Sequence, residues 1–600
     1  MTAYGSFGRF LRLFTGRISV LILLICGNSV LGLLPILIGR WFIDDGVLPR
    51  NEDRIWLLGG MLALSALALA MITLLQNWYA VRLGEDMVLR LREDLFAHLR
   101  GQAIGFFQTA RAGAIVSRLH GDVVSVQRVV TSTIPSVVGA VATMVTAGAL
   151  LVSLEWRLAL ATMVLVPLMY AITTWFSHAL KAVNRRQMAA YATMDARVAE
   201  RFSAPGAELL TLYGDARRDL EAFGTDAGEV RDHAVHQGML AGALSGFLAL
   251  ALGVTSAAAY IAAGLGVASG ALTLGAMVAL VTLLARLYGP IVTLAGIRVE
   301  LVAGLVSFDR VREVMAFPPA VTDLRGAGRL PEPGAHGIVF SEVTFDYPAG
   351  GTLAPASLSG DRPDGEVARG RVLDGLSLTI APGETVGVVG LSGAGKSTLA
   401  RLLVRLWDVT SGEIAINGQD IRKISLESLR REVGVLSQEP FLLNDTMRAN
   451  LLLARPEASE DELEAACREA RIWETIASSP DRLDTMVGDG GLQLSGGERQ
   501  RLAVARLLLK SPSIVVLDEA TSHLDSSTEG ALLHTLRPFL KARTCLIIAH
   551  RLAAVREADT IVVLDRGRVV EQGTHDQLSE ANGHYTRFLR ESRTITERQE

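Results

Sequence analysis

The feature that most constrains this chain is a series of long stretches without a charged residue in its first half. A membrane-spanning helix needs about 20 consecutive apolar residues, and five stretches reach that length. They cover residues 18–39, 55–77, 129–154, 158–177 and 237–285. The last is long enough for two helices and has a glycine-rich break at 264–270. We therefore predict six membrane helices, at about 18–40, 55–77, 129–154, 158–177, 240–263 and 272–297.

The loops between these stretches differ in positive charge. Eighteen Lys and Arg residues lie in the N-terminal segment, 78–128 and 178–236, against four in 40–54, 155–157 and 264–271. Cytoplasmic loops carry the excess of positive charge. We therefore predict a multi-pass protein of the bacterial plasma membrane with both termini in the cytoplasm. The formal net charge of −4 gives no electrostatic reason to expect nucleic acid as a partner.

The composition changes near residue 317, and from about 335 onward no apolar run reaches membrane length. Short β-branched segments alternate there with helical ones, which is typical of an α/β domain. The strands are predicted at 384–389, 514–517, 544–548 and 560–564. Segment 349–371 is rich in Gly, Pro, Ser and Asp and is interpreted as a surface hairpin or a flexible insertion.

One segment of this second half fits the phosphate-binding pattern G-x-x-x-x-G-K-[ST]. It reads Gly-Leu-Ser-Gly-Ala-Gly-Lys-Ser over 390–397, and it lies between an apolar strand and a helical run, as the pattern requires. Backbone N–H groups of such a loop wrap phosphates, and the helix N-terminus adds its positive dipole end. We predict that ATP is bound here, with Lys396 on the β/γ-phosphates and Ser397 on Mg²⁺. The predicted contacts are Gly390, Ser392, Gly393, Gly395, Lys396, Ser397 and Thr398.

A pair of carboxylates follows a second apolar strand, about 120 residues further on. The sequence there is Ile-Val-Val-Leu-Asp518-Glu519. The strand is expected to present Asp518 to the metal, and Glu519 to orient or deprotonate the attacking water.

The chain is thus predicted to be a membrane all-α six-helix domain (1–320), a linker (321–334), an α/β P-loop NTPase domain (335–590) and a tail (591–600).

The most discriminating motif is Leu-Ser-Gly-Gly-Glu-Arg-Gln-Arg at 494–501. It resembles the signature of the ATP-binding cassette (ABC) family, and the resemblance extends over about residues 15–590. It implies that Tyr347 stacks on adenine, that Gln438 contacts the metal and the water, and that His550 is a third catalytic residue. It also implies that Ser495 and Gly497 bind ATP held by another cassette.

The membrane half resembles six-helix ABC exporters at 106–107, Gly113 and 118–122 in the first cytoplasmic loop, at 207–214 in the second, and at 307–311. Two positions depart from the family pattern. Asp489 stands where glutamate is usual, which keeps the charge. His523 stands where alanine is common in the 522–525 motif, and its effect is not predicted.

The family resemblance implies ATP-driven export by a dimer, because each ATP lies between the phosphate loop of one cassette and the signature of another. The second half-transporter would be an identical or a different chain. The transported substrate is small, lipid-like or peptidic and otherwise unidentified, and the lipid bilayer is the other partner. Two alternatives stay open: an importer of exporter-like architecture, of the siderophore type, and an ATP-gated regulatory or sensing membrane protein.

One charge interrupts the apolar run of the sixth predicted helix. Arg286 lies in Leu-Leu-Ala-Arg-Leu-Tyr-Gly-Pro, and a charge at membrane depth costs roughly 2.5–3.5 kcal/mol on insertion scales. We therefore expect it to face the bundle interior or a water-filled cavity. It either attracts an anionic or carbonyl-rich part of the substrate or pairs with another helix.

Overall fold

The computed structural model describes residues 7–331, 334–348, 353–359, 370–519, 536–541, 543–549, 555–581 and 583–596, without the side chains of 158–170, 177–178, 204, 295–296, 298–299 and 591–596. The chain forms two compact units. The helical unit contains Met1–His98 and Val116–Ala316, and the cassette unit contains Leu99–Ile115 and Phe317–Glu600. The segment Leu99–Ile115 belongs to the first loop predicted to be cytoplasmic and is named the first cytoplasmic segment. It packs with the cassette although it lies between helices of the membrane half.

Long helices dominate the first half of the chain, and short helices alternate with strands in the second. The described α-helices are α1 (Phe7–Arg12), α2 (Thr15–Leu31), α3 (Leu34–Trp41), α4 (Glu52–Arg100), α5 (Ile104–Thr109), α6 (Ala112–Ser117), α7 (Val123–Arg128), α8 (Ile134–Leu154), α9 (Trp156–Arg201), α10 (Ala204–Tyr213), α11 (Ala216–Ala268), α12 (Leu274–Ala316), α13 (Ala356–Ser359), α14 (Lys396–Leu403), α15 (Leu426–Glu432), α16 (Met447–Leu452), α17 (Glu460–Glu469), α18 (Trp473–Ser478), α19 (Gly496–Lys510), α20 (His575–Glu580) and α21 (His584–Thr596). The described strands are β1 (Ile338–Asp346), β2 (Arg371–Ile380), β3 (Thr385–Gly390), β4 (Ser411–Ile416), β5 (Gln419–Asp420), β6 (Val433–Leu436), β7 (Ile514–Asp518), β8 (Thr544–Ile548), β9 (Thr560–Asp565) and β10 (Arg568–Gly573).

Within the described residues, five helical segments are long and apolar enough to cross a membrane. They are Thr15–Val47, Glu52–Arg100, Ala112–Leu154, Ala216–Ala268 and Leu274–Leu294. The fourth predicted span, 158–177, lies on α9, where most side chains are outside the described set. Helices α4, α9, α11 and α12 are 49, 46, 53 and 43 residues long. At about 1.5 Å per residue, each is much longer than a bilayer core is thick, as expected for helices that continue out of the membrane.

Helix α12 lies at the centre of the helical unit. Its Leu280 and Leu283 are fully buried, together with Ala147 of α8. At its N-terminus, the Asp44 carboxylate accepts hydrogen bonds from the Gly275 amide (2.8 Å) and from the Thr273 hydroxyl (2.6 Å). These bonds satisfy donors that a helix start leaves free, and they join the end of the first span to the start of the last.

The first span is interrupted between α2 and α3. Gly32 and Leu33 form a turn, and Pro35 follows at the start of α3. Proline has no N–H to donate to Leu31 four residues earlier, so the regular hydrogen-bond ladder stops here. The break lies within an apolar segment and was not predicted.

The cassette unit contains two sheets. A six-stranded sheet has the order β10-β9-β3-β8-β7-β6, and a four-stranded sheet the order β2-β1-β4-β5. In the first, β3 pairs in parallel with β8 and β9, and β7 with β6 and β8. Because both faces of a parallel sheet are covered, its strands are continuous apolar runs. The predicted strands match β3, β7, β8 and β9 to within one residue, and the α/β fold class is confirmed.

The first cytoplasmic segment is held in the cassette unit by α5. Phe106 is buried, with its ring centroid 5.9 Å from that of Phe317. The Gln102 side-chain amide donates to the Phe317 carbonyl (3.0 Å), and the Arg111 amide to the Leu358 carbonyl (3.0 Å). A segment between two helices of the membrane half is thereby fixed to the cassette.

Candidate functional site

The site is built at the carboxyl edge of the parallel sheet. Strand β3 ends at Gly390, and α14 begins at Lys396. The loop between them turns through Gly393 (φ +81°) and Gly395 (φ +102°), values that L side chains rarely adopt. A Cβ on Gly395 would lie 2.7 Å from Leu373 Cδ2. The exposed Ser392 lies in the same loop. The strand–loop–helix context predicted for the phosphate-binding pattern is therefore present.

Lys396 is the first residue of α14, and its side chain reaches back over this loop. Its ammonium group donates to the Gly390 carbonyl (2.8 Å) and to the Leu391 carbonyl (3.1 Å), and the residue is only 5% exposed. Burial lowers the pKa of this ammonium, and the nearby Glu519 and Asp518 carboxylates act in the opposite direction. A buried cation ringed by loop backbone is suited to bind an anion such as a phosphate.

Ser397 and Asp518 meet across the sheet edge. The Ser397 hydroxyl donates to Asp518 Oδ1 at 3.1 Å. Burial raises the pKa of the Asp518 carboxyl, although the bond from Ser397 opposes this effect. A hydroxyl beside a carboxylate is the type of oxygen-ligand pair that holds Mg²⁺ together with substrate phosphates. Among the described residues, no group of three or more His, Cys, Asp or Glu is arranged to hold a metal.

Glu519 follows β7 in an unusual backbone conformation. Its φ is +50°, and its amide donates to the Ile548 carbonyl of β8 at 2.9 Å. Left-handed backbone in a residue other than Gly, Asn or Asp is uncommon, and such residues cluster at functional sites. The bond to β8 holds Glu519 next to Asp518 at the sheet edge.

Tyr347 lies just after β1 and contacts α14. Its hydroxyl is 3.2 Å from the Thr398 hydroxyl, and Arg401 Nη1 donates to it at 3.3 Å. The sequence predicted both Tyr347 and Thr398 as nucleotide contacts, and the structure brings them together. Arg401 was not predicted. It lies one turn after Ser397, but nothing in the motif indicates that its side chain reaches Tyr347, just after a strand of the other sheet.

Ser495 lies at the start of α19, where it forms a reciprocal cap with Glu498. The Glu498 amide donates to the Ser495 hydroxyl (3.3 Å), and the Ser495 amide to the Glu498 carboxylate (2.8 Å). These bonds, with the backbone bond from Ser495 as the largest cause, lower the pKa of Glu498. Ser495 is exposed, and Gly497 lies in the first turn of the same helix. The signature therefore presents a helix N-terminus to the surface.

Gln438 lies two residues after β6 and is exposed. Because β6 pairs in parallel with β7, with Leu436 opposite Leu517, Gln438 is at the same sheet edge as Asp518.

His550 and the 522–525 motif with His523 lie outside the described residues. Asp489 begins a short 3₁₀ turn before the signature.

Arg286 lies on α12, against the break in the first span. A Cβ on Gly32 would be 1.9 Å from Arg286 Nη2, so the guanidinium rests on the Gly32 backbone. The buried Arg286 Nε has no hydrogen-bond partner among the described residues. This placement against Gly32 of the first span agrees with the expectation that Arg286 faces the bundle interior or a water-filled cavity.

Two family profiles match the chain. The profile described as ABC transporter matches residues 373–522, and the one described as ABC transporter transmembrane region matches 18–291. The chain is 32% identical over 543 residues to an ATP-dependent lipid A-core flippase of Syntrophus aciditrophicus. This alignment covers 90% of this chain and 86% of the relative. It is also 32% identical over 567 residues to an uncharacterized ABC transporter ATP-binding protein, YwjA, of Bacillus subtilis, with 92% of each covered.

A solved structure resembles the whole chain. It is that of a bacterial Atm1-family ABC exporter with ATP bound, with a TM-score of 0.76 and 29% sequence identity. The match covers 97% of this chain and 98% of the other. The fold of this chain is therefore already known from an ABC exporter.

Proposed function

We propose that this chain, which belongs to the ABC transporter family and to its exporters, works as one half of a dimer that hydrolyses ATP at two shared sites. The observation that carries the proposal is that the predicted ATP contacts of one chain fall into two groups. Lys396, Ser397 and Asp518 form one cluster at the sheet edge, whereas Ser495 hydrogen-bonds locally to Glu498 on an exposed helix end. A second cassette would bring its own Ser495 and Gly497 to the ATP held by this cluster.

The exposed second cytoplasmic loop supports a partner chain. Helix α10 leaves Leu209, Leu212 and Tyr213 exposed by 60%, 64% and 82%, and the preceding Phe202 by 82%. This loop is predicted to lie in the cytoplasm, where lipid cannot cover it. Apolar patches of this kind mark protein interaction surfaces, and a second half-transporter is the partner that the family implies.

In the proposed reaction, the loop backbone and Lys396 bind the β- and γ-phosphates, and Ser397, Asp518 and Gln438 would hold Mg²⁺. When bound, Mg²⁺ neutralises charge that develops on the transferred phosphoryl group. Glu519 orients the attacking water and accepts its proton, and His550 is proposed as a further catalytic residue. Tyr347 stacks on the adenine ring.

The transported substrate is proposed to be amphipathic. The relative named as a lipid A-core flippase supports a lipid-like substrate. The Arg286 guanidinium, whose Nε has no hydrogen-bond partner among the described residues, supports an anionic group on it. Export from the cytoplasmic side is favoured over import and over sensing, because the fold matches an exporter along its length.

The proposal is tested with the purified chain in lipid vesicles. Molar mass in the presence of ATP should correspond to a dimer, and outward-facing cassettes should drive substrate into the vesicle. A well-folded monomer without ATPase activity would indicate that the active form needs a different partner chain. Flux in the opposite direction would contradict export.

A further inference from the structure

Aromatic and polar contacts hold Tyr347, the proposed adenine-stacking residue, in position. Its ring is in edge-to-face contact with Phe345, at 4.8 Å between centroids, and with Trp407, at 5.6 Å. The two hydroxyl contacts, to Thr398 and Arg401, fix the far end of the side chain. Of these neighbours, Trp407 connects Tyr347 to a different part of the unit.

Trp407 rests on the backbone of Gly105. A Cβ on Gly105 would lie 2.0 Å from Cη2 of Trp407, 2.7 Å from Cζ3 and 2.9 Å from Cζ2. Trp407 is 3% exposed, and its indole N–H makes no hydrogen bond within the described part of the chain. Packing alone therefore determines where this ring lies, and any side chain at position 105 would displace it.

Gly105 belongs to α5, in the first cytoplasmic segment. The neighbouring Phe106 is 2% exposed and packs on Phe317, and Gln102 donates to the Phe317 carbonyl. Gly105 is thus part of a fixed surface rather than of a loose loop. A shift of α5 would move Trp407, and Trp407 would move the ring of Tyr347.

We propose that Trp407 is a positioning residue that conveys the placement of Gly105 to Tyr347, so that the first cytoplasmic segment sets the affinity for the adenine ring. The inference rests on the proposed role of Tyr347 in ATP binding. The dependence runs in both directions, because binding free energies of coupled sites are reciprocal. Adenine stacked on Tyr347 would then stabilise α5 in the position found here.

The experiment compares Gly105→Ala with Gly113→Ala in the full-length protein. Both glycines lie in the first cytoplasmic segment, but a Cβ on Gly113 would meet nothing within 4 Å. Two quantities are measured in vesicles: the KM for ATP, and the inhibition constant of inorganic tripolyphosphate, which fills the phosphate loop but has no base. We expect Gly105→Ala to raise the KM for ATP about tenfold, within the range of base–aromatic stacking, and to leave the tripolyphosphate constant unchanged. Gly113→Ala should change neither.

A rescue variant tests the role of the indole. The atoms that would meet a Cβ on Gly105 all belong to the six-membered ring of Trp407, and Trp407→Phe removes that outer part of the side chain. The Gly105→Ala, Trp407→Phe double variant should therefore recover part of the ATP affinity that Gly105→Ala loses. If Gly105→Ala does not fold, Trp407→Phe alone is measured, with an expected rise in the KM for ATP and no change for tripolyphosphate.

Three results would overturn the proposal. They are an unchanged KM for ATP in folded Gly105→Ala, an unchanged KM in Trp407→Phe, and an equal loss of tripolyphosphate inhibition, which would indicate damage to the phosphate loop. Tyr347→Ala separates this proposal from the proposed function. If Tyr347→Ala leaves the preference for ATP over tripolyphosphate intact, the stacking role itself is wrong; if it abolishes that preference and Gly105→Ala does not, only the link to α5 is wrong.

Discussion

The cassette unit and the helical unit differ in how far their residue types reveal function. At the sheet edge of the cassette, polar side chains bind one another, as Ser397 binds Asp518. Along α4, by contrast, the exposed side chains include Trp56, Leu64 and Leu67, which any membrane helix needs. Phosphate chemistry requires particular side chains at fixed spacings, whereas lipid requires the same apolar surface for every substrate. The sequence therefore identifies the energy source far more sharply than the substrate.

The largest effect is expected at Glu519, in the cassette unit. We expect Glu519→Gln to lower turnover by about 10²–10⁴-fold, the usual contribution of a general base. ATP binding should be retained, because Asp518, the proposed metal ligand, is untouched. Steady-state ATPase activity and ATP binding are measured together. Glu427→Gln is the matched control, since Glu427 is an exposed carboxylate that pairs with Arg431. Near-normal turnover in Glu519→Gln would contradict the assignment.

The next effect is expected at Lys396. Lys396→Ala removes a cation that is buried against the Gly390 and Leu391 carbonyls, so that phosphate charge in the loop is no longer neutralised. ATP binding, hydrolysis or both should fall by about 10-fold or more, as expected when a charged hydrogen-bond donor is lost. Lys423→Ala, in a short 3₁₀ turn of the same unit, is the control. Normal affinity together with normal turnover would rule out the assignment.

In the helical unit, the best-defined polar contact is structural and its predicted effect is smaller. Asp44→Ala should reduce stability by about 1–2 kcal/mol, the usual cost of losing a helix cap, because the Gly275 amide and the Thr273 hydroxyl lose their acceptor. Asp45→Ala is the matched control, since Asp45 is half-exposed and its carboxylate lies as far as 3.9 Å from the Arg54 guanidinium. Thermal unfolding in lipid nanodiscs measures both. Equal melting temperatures would show that the cap at Asp44 contributes nothing.

The smallest effect is expected at Arg286, the residue of the helical unit whose substitution tests a role in substrate binding. Arg286→Ala should reduce the stimulation of ATPase activity by a transported substrate severalfold, as for the loss of a hydrogen bond worth about 1 kcal/mol. Basal activity should be unchanged. Arg54→Ala controls for the loss of a positive charge. Loss of expression or of basal activity would instead favour a structural role for the Arg286 contact with Gly32.

The sequence predicted the strands and the phosphate loop because local rules determine them. Apolar runs bounded by turn residues define β3 and β7, and the spacing of Gly395, Lys396 and Ser397 is that of the phosphate-binding pattern. Packing between distant segments was not predictable in this way. No pattern indicates that Gly105 makes room for Trp407, 302 positions further along the chain, or that Arg401 reaches Tyr347.

Helix irregularities were missed for a related reason. The membrane helices were predicted from the length of apolar stretches, but the structure has wide π-helical turns at Phe42–Val47, Arg118–Asp122 and Val129–Thr133. Such turns add a residue without interrupting the apolar pattern, so the pattern does not reveal them. In the second turn, Arg118 and Asp122 form a buried ion pair at 2.8 Å, a contact for which the spacing of four residues gave only a hint.

The left-handed backbone at Glu519 has a consequence for how this position can change over evolutionary time. Glycine or asparagine would adopt φ +50° more easily, and strain of this kind costs about 1–3 kcal/mol. A lineage selected only for a stable fold would therefore drift toward glycine or asparagine at position 519. A lineage selected for ATP turnover would keep the carboxylate and the strain, so the residue found at this one position would distinguish a working ATPase from a relic of one.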